Sequence, residues 1–435
     1  MKLLVSGAVD GRWVLAEDGA IAETGTGAAP AAESTLDATG CLVLPGLVNC
    51  HDHMYQQATR GYAAGQGLFG WLAELYPVWA RLDAGTVRAA ARAAIARLLL
   101  SGCTLTTDHH YVFPRGQAGI FEALVEAAAE LGIRFQPCRG SMSLGHSAGG
   151  LPPDEVVEDH DAILADSERV IAAFHDPGPG SMCRVSVAPC SPFSVTPELM
   201  RDSALLARRH GLRLHTHLAE TVDEEEFCLE KFGKRPVELL EELEWVGADV
   251  WLAHGVHFSR AEIERLGGSR TGVAHCPSSN LRLGAGACPL TDLLAAGVRV
   301  GLGVDGAASN EDYHLAGEVR QALLLARLRG GAGALDAEAA WRLASAGGAE
   351  CLGWPEVGAI EPGRRADLAL FRVDDLNHAG IEDPLTALAL APPARAQAVV
   401  VEGRVVVVEG RLLTADEEEL AADLRQASDR LRTAA

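Results

Sequence analysis

The feature of this sequence that most constrains its fold is a regular alternation of short apolar segments with helix-length segments. Eight apolar runs read as β-strands, and helical stretches or glycine turn signals separate them. They are GLVNCHDH (46–53), CTLTTDHH (103–110), IRFQPCRG (133–140), CRVSVAPCSP (183–192), LRLHTHLAE (212–220), DVWLAHGVHF (249–258), TGVAHCPSSN (271–280) and VRVGLGVDGAA (298–308). This pattern is typical of α/β proteins, and eight repeats predict a closed (β/α)8 barrel of the TIM type. An open doubly wound sheet would normally carry a glycine-rich phosphate loop after its first strand, which the sequence lacks.

The two ends of the chain differ from the middle. Residues 1–45 alternate β-type runs with Gly and Ala turns, and the C-terminal stretch carries ADLALFRV (366–373) and two β-rich runs around Glu402-Gly403. Neither end has helices to cover a sheet, so the two ends are expected to pair into one small β-sandwich. The predicted division is a β-sandwich part at 1–45, the barrel at 46–362, and the second β-sandwich part with a terminal helix at 363–435.

Charge and composition restrict the partners and the location. A net charge of -22 argues against a nucleic-acid surface, which needs clustered Lys and Arg. The start, MKLLVSGAVDGRW, lacks the features of a signal peptide, and no segment reaches the ~18 apolar residues of a membrane span. We therefore expect a cytoplasmic protein with neither nucleic-acid nor membrane partners. The ten cysteines lie without CxxC pairs and are expected to be free thiols.

Ionisable side chains stand at the ends of six of the eight predicted strands. They are His51 and His53; Asp108, His109 and His110; His215, His217 and Glu220; His254; His275; and Asp305. A single histidine in a strand is more often a satisfied core residue. In a (β/α)8 barrel, however, the carboxyl ends of all strands face one mouth. The repetition therefore predicts a functional site at that mouth.

The chemistry of this set indicates a metal ion. One residue separates His51 from His53, so on a strand both side chains project to the same face and can share an ion. Imidazole and carboxylate ligands without thiolates suit one divalent ion, zinc first and ferrous iron as the alternative, with a position open for water. Other hydrolytic patterns are absent: PCSPF (189–193) lacks the second Cys of the cytidine-deaminase motif, and H-E-x-x-H, Walker A and G-x-S-x-G do not occur.

Four stretches resemble the amidohydrolase superfamily in order and spacing. PGLVNCHDH (45–53) resembles its PGxxxxHxH strand, HLAE (217–220) its HxxE motif, VDG (304–306) its closing aspartate, and IEPGRRADL (360–368) its return to the β-sandwich. The fourth strand carries no Lys, which is typical of the branch that uses one metal. The resemblance implies that four side chains hold the ion: His51, His53, His217 and Asp305.

Five further stretches resemble 8-oxoguanine deaminases within that superfamily. They are HMYQQATRGY (53–62), TTDHHYVFP (106–114), RGSMSLGHSAGGLPPDEVVED (139–159), HCPSSNLRLGAG (275–286) and GVDGAASNEDYHL (303–315). The resemblance implies hydrolytic deamination of a small amino-substituted N-heterocycle, first of all 8-oxoguanine to urate plus ammonia. Alternatives are deamination of isocytosine, isoxanthopterin or guanine, or an s-triazine hydrolase that releases halide or alkylamine. Members of the family are often oligomers, so a homo-oligomer, dimer or larger, is expected.

Three side chains fit the proton transfers of such a reaction. Asp305 is expected to contact both ion and water and to accept the proton of the water. Glu220 would protonate the ring nitrogen beside the attacked carbon. His254 would polarise the water or stabilise the tetrahedral centre, with a role as a metal ligand ranked second. This set argues against a non-catalytic metal-binding barrel, because binding alone needs no proton shuttle.

Several neighbours of these groups have two open interpretations. Substrate contacts are expected from Gln56, Glu220, His254 and His275, although Gln56 could equally pack the loop and His275 could equally orient the mouth. His109 and His110 are expected to support the site from behind.

Three further segments are expected to be structural. The aromatic residues Phe69, Trp71, Tyr76 and Trp79 have the spacing of a helix's buried stripe, with a stacking wall for a substrate ring as the alternative. Ser309, Asn310, Glu311 and Asp312 are expected to cap the next helix, and the acidic run at 223–226 to form a solvated first helical turn.

Overall fold

The structure, a computed structural model, describes residues 2–433. In chain order the strands are β1 (Lys2–Ser6), β2 (Arg12–Glu17), β3 (Ala20–Thr26), β4 (Ser34–Asp37), β5 (Cys41–Pro45), β6 (Leu47–Asn49), β7 (Cys103–His110), β8 (Arg134–Ser141), β9 (Ser186–Pro189), β10 (Leu214–Leu218), β11 (Val250–His254), β12 (Gly272–His275), β13 (Arg299–Leu302), β14 (Leu368–Arg372), β15 (Ala398–Val401), β16 (Arg404–Val408) and β17 (Arg411–Leu412). Each of the eight predicted barrel runs coincides with one of the strands β6–β13, and only β8 extends beyond its run, by Ser141.

Helices fill the intervals between the strands. In chain order they are α1 (Leu68–Trp79), α2 (Ala84–Leu100), α3 (Ile120–Leu131), α4 (His160–Phe174), α5 (Pro197–Arg209), α6 (Val222–Phe232), α7 (Pro236–Glu242), α8 (Arg260–Ser269), α9 (Pro277–Arg282), α10 (Leu290–Ala295), α11 (Leu315–Gly330), α12 (Ala337–Arg342), α13 (Gly348–Leu352), α14 (Pro384–Leu390) and α15 (Glu417–Thr433). Their starts follow local chemistry: the Asp83 carboxylate caps α2, and Ser259 with Glu262 forms a capping box on α8. No helix within residues 2–433 is both long and apolar enough to cross a membrane.

The barrel closes in sequence order. Each strand from β6 to β12 pairs in parallel with the next, and β13 pairs back with β6. This arrangement confirms the predicted (β/α)8 barrel. Its interior is closed by apolar side chains of the strands together with residues of α13 and the turn after it, among them Trp251 and Trp354.

The first barrel strand is shorter than the sequence predicts. Regular pairing in β6 ends at Asn49, so His51 and His53 lie beyond the strand. Backbone hydrogen bonds still hold this extension on both sides: Asp305 N donates to His51 O (3.0 Å) and His109 N donates to Asp52 O (2.7 Å). Asp305 itself has a positive φ of 60°, outside the strand conformation.

The chain ends build the small β-sandwich. One sheet has the order β3-β2-β1-β4, and the other has the order β17-β16-β15-β14-β5, so N-terminal β5 joins the C-terminal strands. The two sheets share an apolar core that includes Val5, Val14, Val43, Leu370 and Val400. The predicted pairing of the two ends is confirmed. The domain boundaries at 45/46 and 362/363 stay predictions.

A buried ion cluster joins the barrel to the β-sandwich. Arg134, at the start of β8, is fully buried, and its guanidinium makes two 3.1 Å hydrogen bonds to the carboxylate of Asp367. The same carboxylate accepts a hydrogen bond from the backbone N–H of Glu402 (2.8 Å). The guanidinium therefore holds the turn that leads into β14.

Removing this guanidinium is expected to destabilise the whole fold. Arg134→Met leaves the Asp367 carboxylate buried without its cation, so the free energy of unfolding should fall by about 3–5 kcal/mol. Arg260→Met is the matched control, because the Arg260 side chain is 94% exposed beside Glu264. That variant should stay within about 0.5 kcal/mol of the parent in equilibrium urea unfolding. Equal, small losses in both variants would contradict the structural role of Arg134.

Candidate active site

Three imidazoles converge at the mouth of the barrel, each with its Nε2 toward a common point. His53 Nδ1 lies 2.7 Å from the carbonyl oxygen of His109, and His217 Nδ1 lies 2.7 Å from that of Cys190. A carbonyl oxygen only accepts, so each Nδ1 carries the proton and each Nε2 presents a lone pair. The two Nε2 atoms face each other at 3.0 Å. Two lone pairs at this distance repel unless a cation lies between or beside them.

The third imidazole, of His51, points its Nε2 at the same place. Within residues 2–433, His51 Nε2 is buried and has no hydrogen-bond partner. Burial lowers the pKa of His53 to about 3 and that of His217 well below its ordinary value, with repulsion from neighbouring histidines adding to the effect. Neutral imidazoles are the form that binds a metal ion.

Asp305 completes this group. It follows β13, the strand that pairs with β6 and closes the barrel. Its Oδ1 lies 3.5 Å from His51 Nε2 and 3.4 Å from His53 Nε2. Its Oδ2 accepts hydrogen bonds from the hydroxyls of Ser279 (2.6 Å) and Ser309 (3.3 Å). These donors stabilise the anion and fix which oxygen faces the imidazoles.

The donor set fits a single divalent cation. The ligand atoms of His51, His53 and Asp305 lie within 4.8 Å of one another, and those of His51, His217 and His254 form an overlapping group. Nitrogen and carboxylate oxygen ligands, neutral imidazoles and facing lone pairs are what a zinc or ferrous site requires. The structure thus brings together all four predicted metal ligands. Their individual roles stay predictions.

Glu220 and His254 lie beside this group and face each other. His254 Nε2 is 3.5 Å from Glu220 Oε2, and His254 Nδ1 is 3.0 Å from the side-chain oxygen of Asn280. Burial raises the pKa of Glu220 well above its usual range, and the negative charge of Asp305 raises it further. Burial also lowers the pKa of His254 to about 4. Both shifts favour the neutral forms, a carboxylic acid on Glu220 beside an imidazole on His254.

Two polar segments behave differently from the sequence expectation. Glu224 was expected in a solvated turn, but it is fully buried and accepts hydrogen bonds from the backbone N–H groups of Ala219 (2.8 Å) and Glu220 (3.0 Å). Ala219 has a positive φ of 53°, which takes this backbone out of strand pairing and leaves its donors to the Glu224 carboxylate. Similarly, Ser309 contacts Asp305, and the cap of α11 is His314.

A cavity opens over these groups. Its polar end is lined by His53, Gln56, His217, Glu220, His254, Asp305 and Ser309, and its apolar wall by Leu68, Trp71, Leu72, Tyr76, Tyr111, Cys190, Phe193 and Leu283.

Helix α1 contributes both to the core and to the cavity wall, and a stacking role against a substrate ring stays a prediction. Trp79 is buried in the core, as a helix stripe would be, whereas Trp71 and Tyr76 line the cavity. Phe69 packs against Phe193. The sequence does not distinguish the remaining apolar lining residues from core residues, because leucine occurs equally in pocket walls and in hydrophobic cores.

Of the other predicted residues, some line the cavity and some do not. Gln56 lines the cavity, and within the described chain its buried Oε1 has no hydrogen-bond partner. His275 is buried at the end of β12 close to His254, but it is not among the lining residues, so its contact with substrate stays a prediction. His109 supports the site through its carbonyl, which holds His53, and the His110 ring bonds to Val112 O (2.7 Å).

Fold and site together define a barrel hydrolase with a histidine and aspartate centre at its carboxyl-terminal mouth, and comparisons with known proteins agree. Residues 42–406 match the model of the amidohydrolase family. The chain is 52% identical to 8-oxoguanine deaminase of Pseudomonas aeruginosa over 90% of this chain and 88% of that protein. It is 40% identical to an isoxanthopterin deaminase of an unknown prokaryotic organism, covering 81% and 77% of the two chains.

A solved structure shows the same architecture. The crystal structure of atrazine chlorohydrolase from Arthrobacter aurescens TC1, complexed with zinc, superposes with a TM-score of 0.94 at 33% identity, covering 98% of this chain and 100% of that one. The chain belongs to the amidohydrolase family. It is a hydrolase that acts on C–N bonds, as the sequence predicts.

A glycine next to Asp305 keeps room for the Gln56 amide. A Cβ on Gly306 would overlap the Gln56 side chain, so Gly306→Ala should force this amide aside and lower the free energy of unfolding by about 1–3 kcal/mol. In a Gln56→Ala background the same substitution should cost much less, because the overlapping atoms are gone. Urea unfolding of the parent, both single variants and the double variant measures this coupling. Additive losses would show that the Gln56 amide does not occupy this position.

Proposed function

We propose that the protein is a metal-dependent aminohydrolase that converts 8-oxoguanine and water to urate and ammonia. The observation that carries the reaction type is the buried group of Glu220, His254 and Asp305 at the polar end of the cavity. A neutral carboxylic acid and a carboxylate in one site are the acid and the base that hydrolytic deamination needs. Similarity to an 8-oxoguanine deaminase supports the choice of substrate.

We further propose that His51, His53, His217 and Asp305 hold one divalent ion. Zinc is the first choice, supported by the zinc in the related chlorohydrolase, and ferrous iron is the alternative. When bound, the ion would supply a water molecule whose pKa is lowered to roughly 7, so that a nucleophile is available at neutral pH.

The protein groups would then move three protons. Asp305 accepts a proton from the attacking water, while the His254 imidazole orients this water. Glu220 gives its proton to the ring nitrogen beside the attacked carbon, which makes that carbon more electrophilic. The amino group leaves as ammonia after it takes the proton held by Asp305, and the hydroxyl proton of the new C–O group returns to Glu220. The sum is one water consumed and one ammonia released.

The cavity suits a flat heterocycle. Trp71 and Tyr76 provide aromatic surface in its wall, against which a planar ring can pack. Gln56 provides an amide, which can both donate to and accept from the polar edge of a purine. His275 is a proposed further contact. A homo-oligomeric state and a cytoplasmic location stay predictions.

A second candidate keeps the site and changes the leaving group. Similarity to a zinc-containing atrazine chlorohydrolase makes an s-triazine with a halide or alkylamine leaving group the main alternative. Deaminases of isocytosine, isoxanthopterin or guanine are alternatives within the first reaction type.

Turnover of a substrate panel tests the proposed reaction. The zinc-replete protein should release ammonia from 8-oxoguanine with a higher kcat/KM than from isocytosine, guanine, isoxanthopterin or a hydroxylated s-triazine. Metal analysis should find one divalent ion per chain, and removal by a chelator should abolish activity that added zinc restores. If no amino-heterocycle releases ammonia, the proposed function is wrong.

The proton on Glu220 gives the reaction a specific pH dependence. Glu220 acts in its protonated form, so activity is present below its raised pKa and is lost as the pH rises through it. Glu220→Gln cannot supply the proton and should lower kcat/KM by about 10²–10⁴-fold. Glu226→Gln, on the exposed side of α6, is the matched control and should retain activity and the pH profile of the parent. Glu220→Gln with full deaminase activity would refute the role of this acid, and loss of deamination with retained triazine dehalogenation would favour the second candidate.

A further inference from the structure

His215 is a buried histidine close to the site. It does not line the cavity, and it is not one of the four proposed metal ligands. It lies on β10, two residues before His217, and is fully buried. Its Nδ1 is 2.9 Å from the carbonyl oxygen of Trp251, and its Nε2 is 2.8 Å from His51 Nδ1. Its ring stacks on the Trp251 indole, with centroids 4.3 Å apart and planes 11° apart.

These contacts fix where the protons lie. The Trp251 carbonyl can only accept, so His215 Nδ1 carries the proton and His215 Nε2 is an acceptor. A neutral imidazole carries a single proton, and the Trp251 carbonyl places that proton on Nδ1. The proton in the 2.8 Å contact must therefore come from His51 Nδ1. His51 is left with a bare Nε2 that points at the centre of the site.

His51 differs in this respect from the other two imidazoles. Backbone carbonyl oxygens hold the Nδ1 protons of His53 and His217, so the backbone alone fixes their tautomers. The tautomer of His51 depends on another side chain. Trp251, whose carbonyl holds His215, also donates its indole N–H to Cys50 O (3.0 Å), directly before His51.

We propose that His215 is a positioning residue that holds His51 in the Nδ1–H tautomer and thereby sets the affinity of the site for its divalent ion. The ion itself rests on the proposed function, whereas the tautomer of His51 is a property of the metal-free protein. Loss of a hydrogen-bond partner behind a metal-bound histidine typically weakens binding, because the ligand ring can rotate or take the wrong tautomer.

Two substitutions separate the hydrogen bond from the packing of the ring. His215→Phe keeps a flat ring on Trp251 but removes both nitrogens. His215→Gln removes the aromatic ring but keeps an amide oxygen that can accept from His51 Nδ1. His110→Phe is the matched control, because His110 is equally buried and bonds to a carbonyl, yet its ring contacts none of the four proposed ligands in the described structure.

The readout is the zinc dissociation constant of metal-free protein, measured by competition with a chromophoric chelator. His215→Phe should bind zinc about 10–100-fold more weakly than the parent, while His215→Gln and His110→Phe should stay within about threefold. Parent-like affinity of His215→Phe would overturn the proposal. Equal weakening by the Phe and Gln substitutions would also overturn it, because the ring and not the acceptor would then matter.

A measurement on the unsubstituted protein covers the case in which His215→Phe does not fold. Nitrogen-15 NMR of the imidazole rings in metal-free protein reports the tautomer of His51, assigned by comparison with His51→Gln. The proposal requires a protonated Nδ1 and a bare Nε2, and the opposite tautomer would refute it. Parent protein that binds no zinc would contradict the proposed function, and the tautomer would still decide the role of His215.

Discussion

Bare imidazole nitrogens that face one another at the mouth of the barrel are the constraint around which the rest of the site is arranged. His53 Nε2 and His217 Nε2 approach to 3.0 Å, and the carboxylate of Asp305 lies beside them. Such an arrangement is unfavourable without a cation and favourable with one. Three hydrogen-bond partners hold these groups in this orientation: the carbonyl oxygens of His109 and Cys190, and the Ser279 hydroxyl.

The proton-transfer groups beside these imidazoles have perturbed pKa values. Burial raises the pKa of Glu220 and the charge of Asp305 raises it further, while Glu224 holds the backbone from which Glu220 projects. The neighbouring histidines in turn hold the pKa of Asp305 well below its usual range. Two carboxyl groups with opposite protonation states are what an acid and base pair in a hydrolase requires.

Much of this architecture was predictable from the sequence, because it depends on patterns that repeat. The eight strands follow from apolar runs at helix-length intervals, and the convergence of His51, His217 and Asp305 follows from the parallel orientation of those strands. The β-sandwich followed from chain ends that could not cover their own sheets. What could not be read from the sequence are the contacts set by local backbone geometry. Glu224 turns inward to the backbone N–H groups of Ala219 and Glu220, where Ala219 has a positive φ, and the regular pairing of β6 ends at Asn49. The sequence also left open which aromatic residues of α1 line the cavity. Trp71 and Trp79 fall on the same helical periodicity, but only Trp71 lines the cavity.

The central claim is that one divalent ion is held by three imidazole Nε2 atoms and one carboxylate oxygen. Anomalous diffraction at the zinc edge, from crystals of the zinc-replete protein, tests it most directly. We expect a single strong peak at about 2.0–2.2 Å from Nε2 of His51, His53 and His217 and from Oδ1 of Asp305. A peak bonded to His109 or His215, or no peak at the mouth of the barrel, would contradict it.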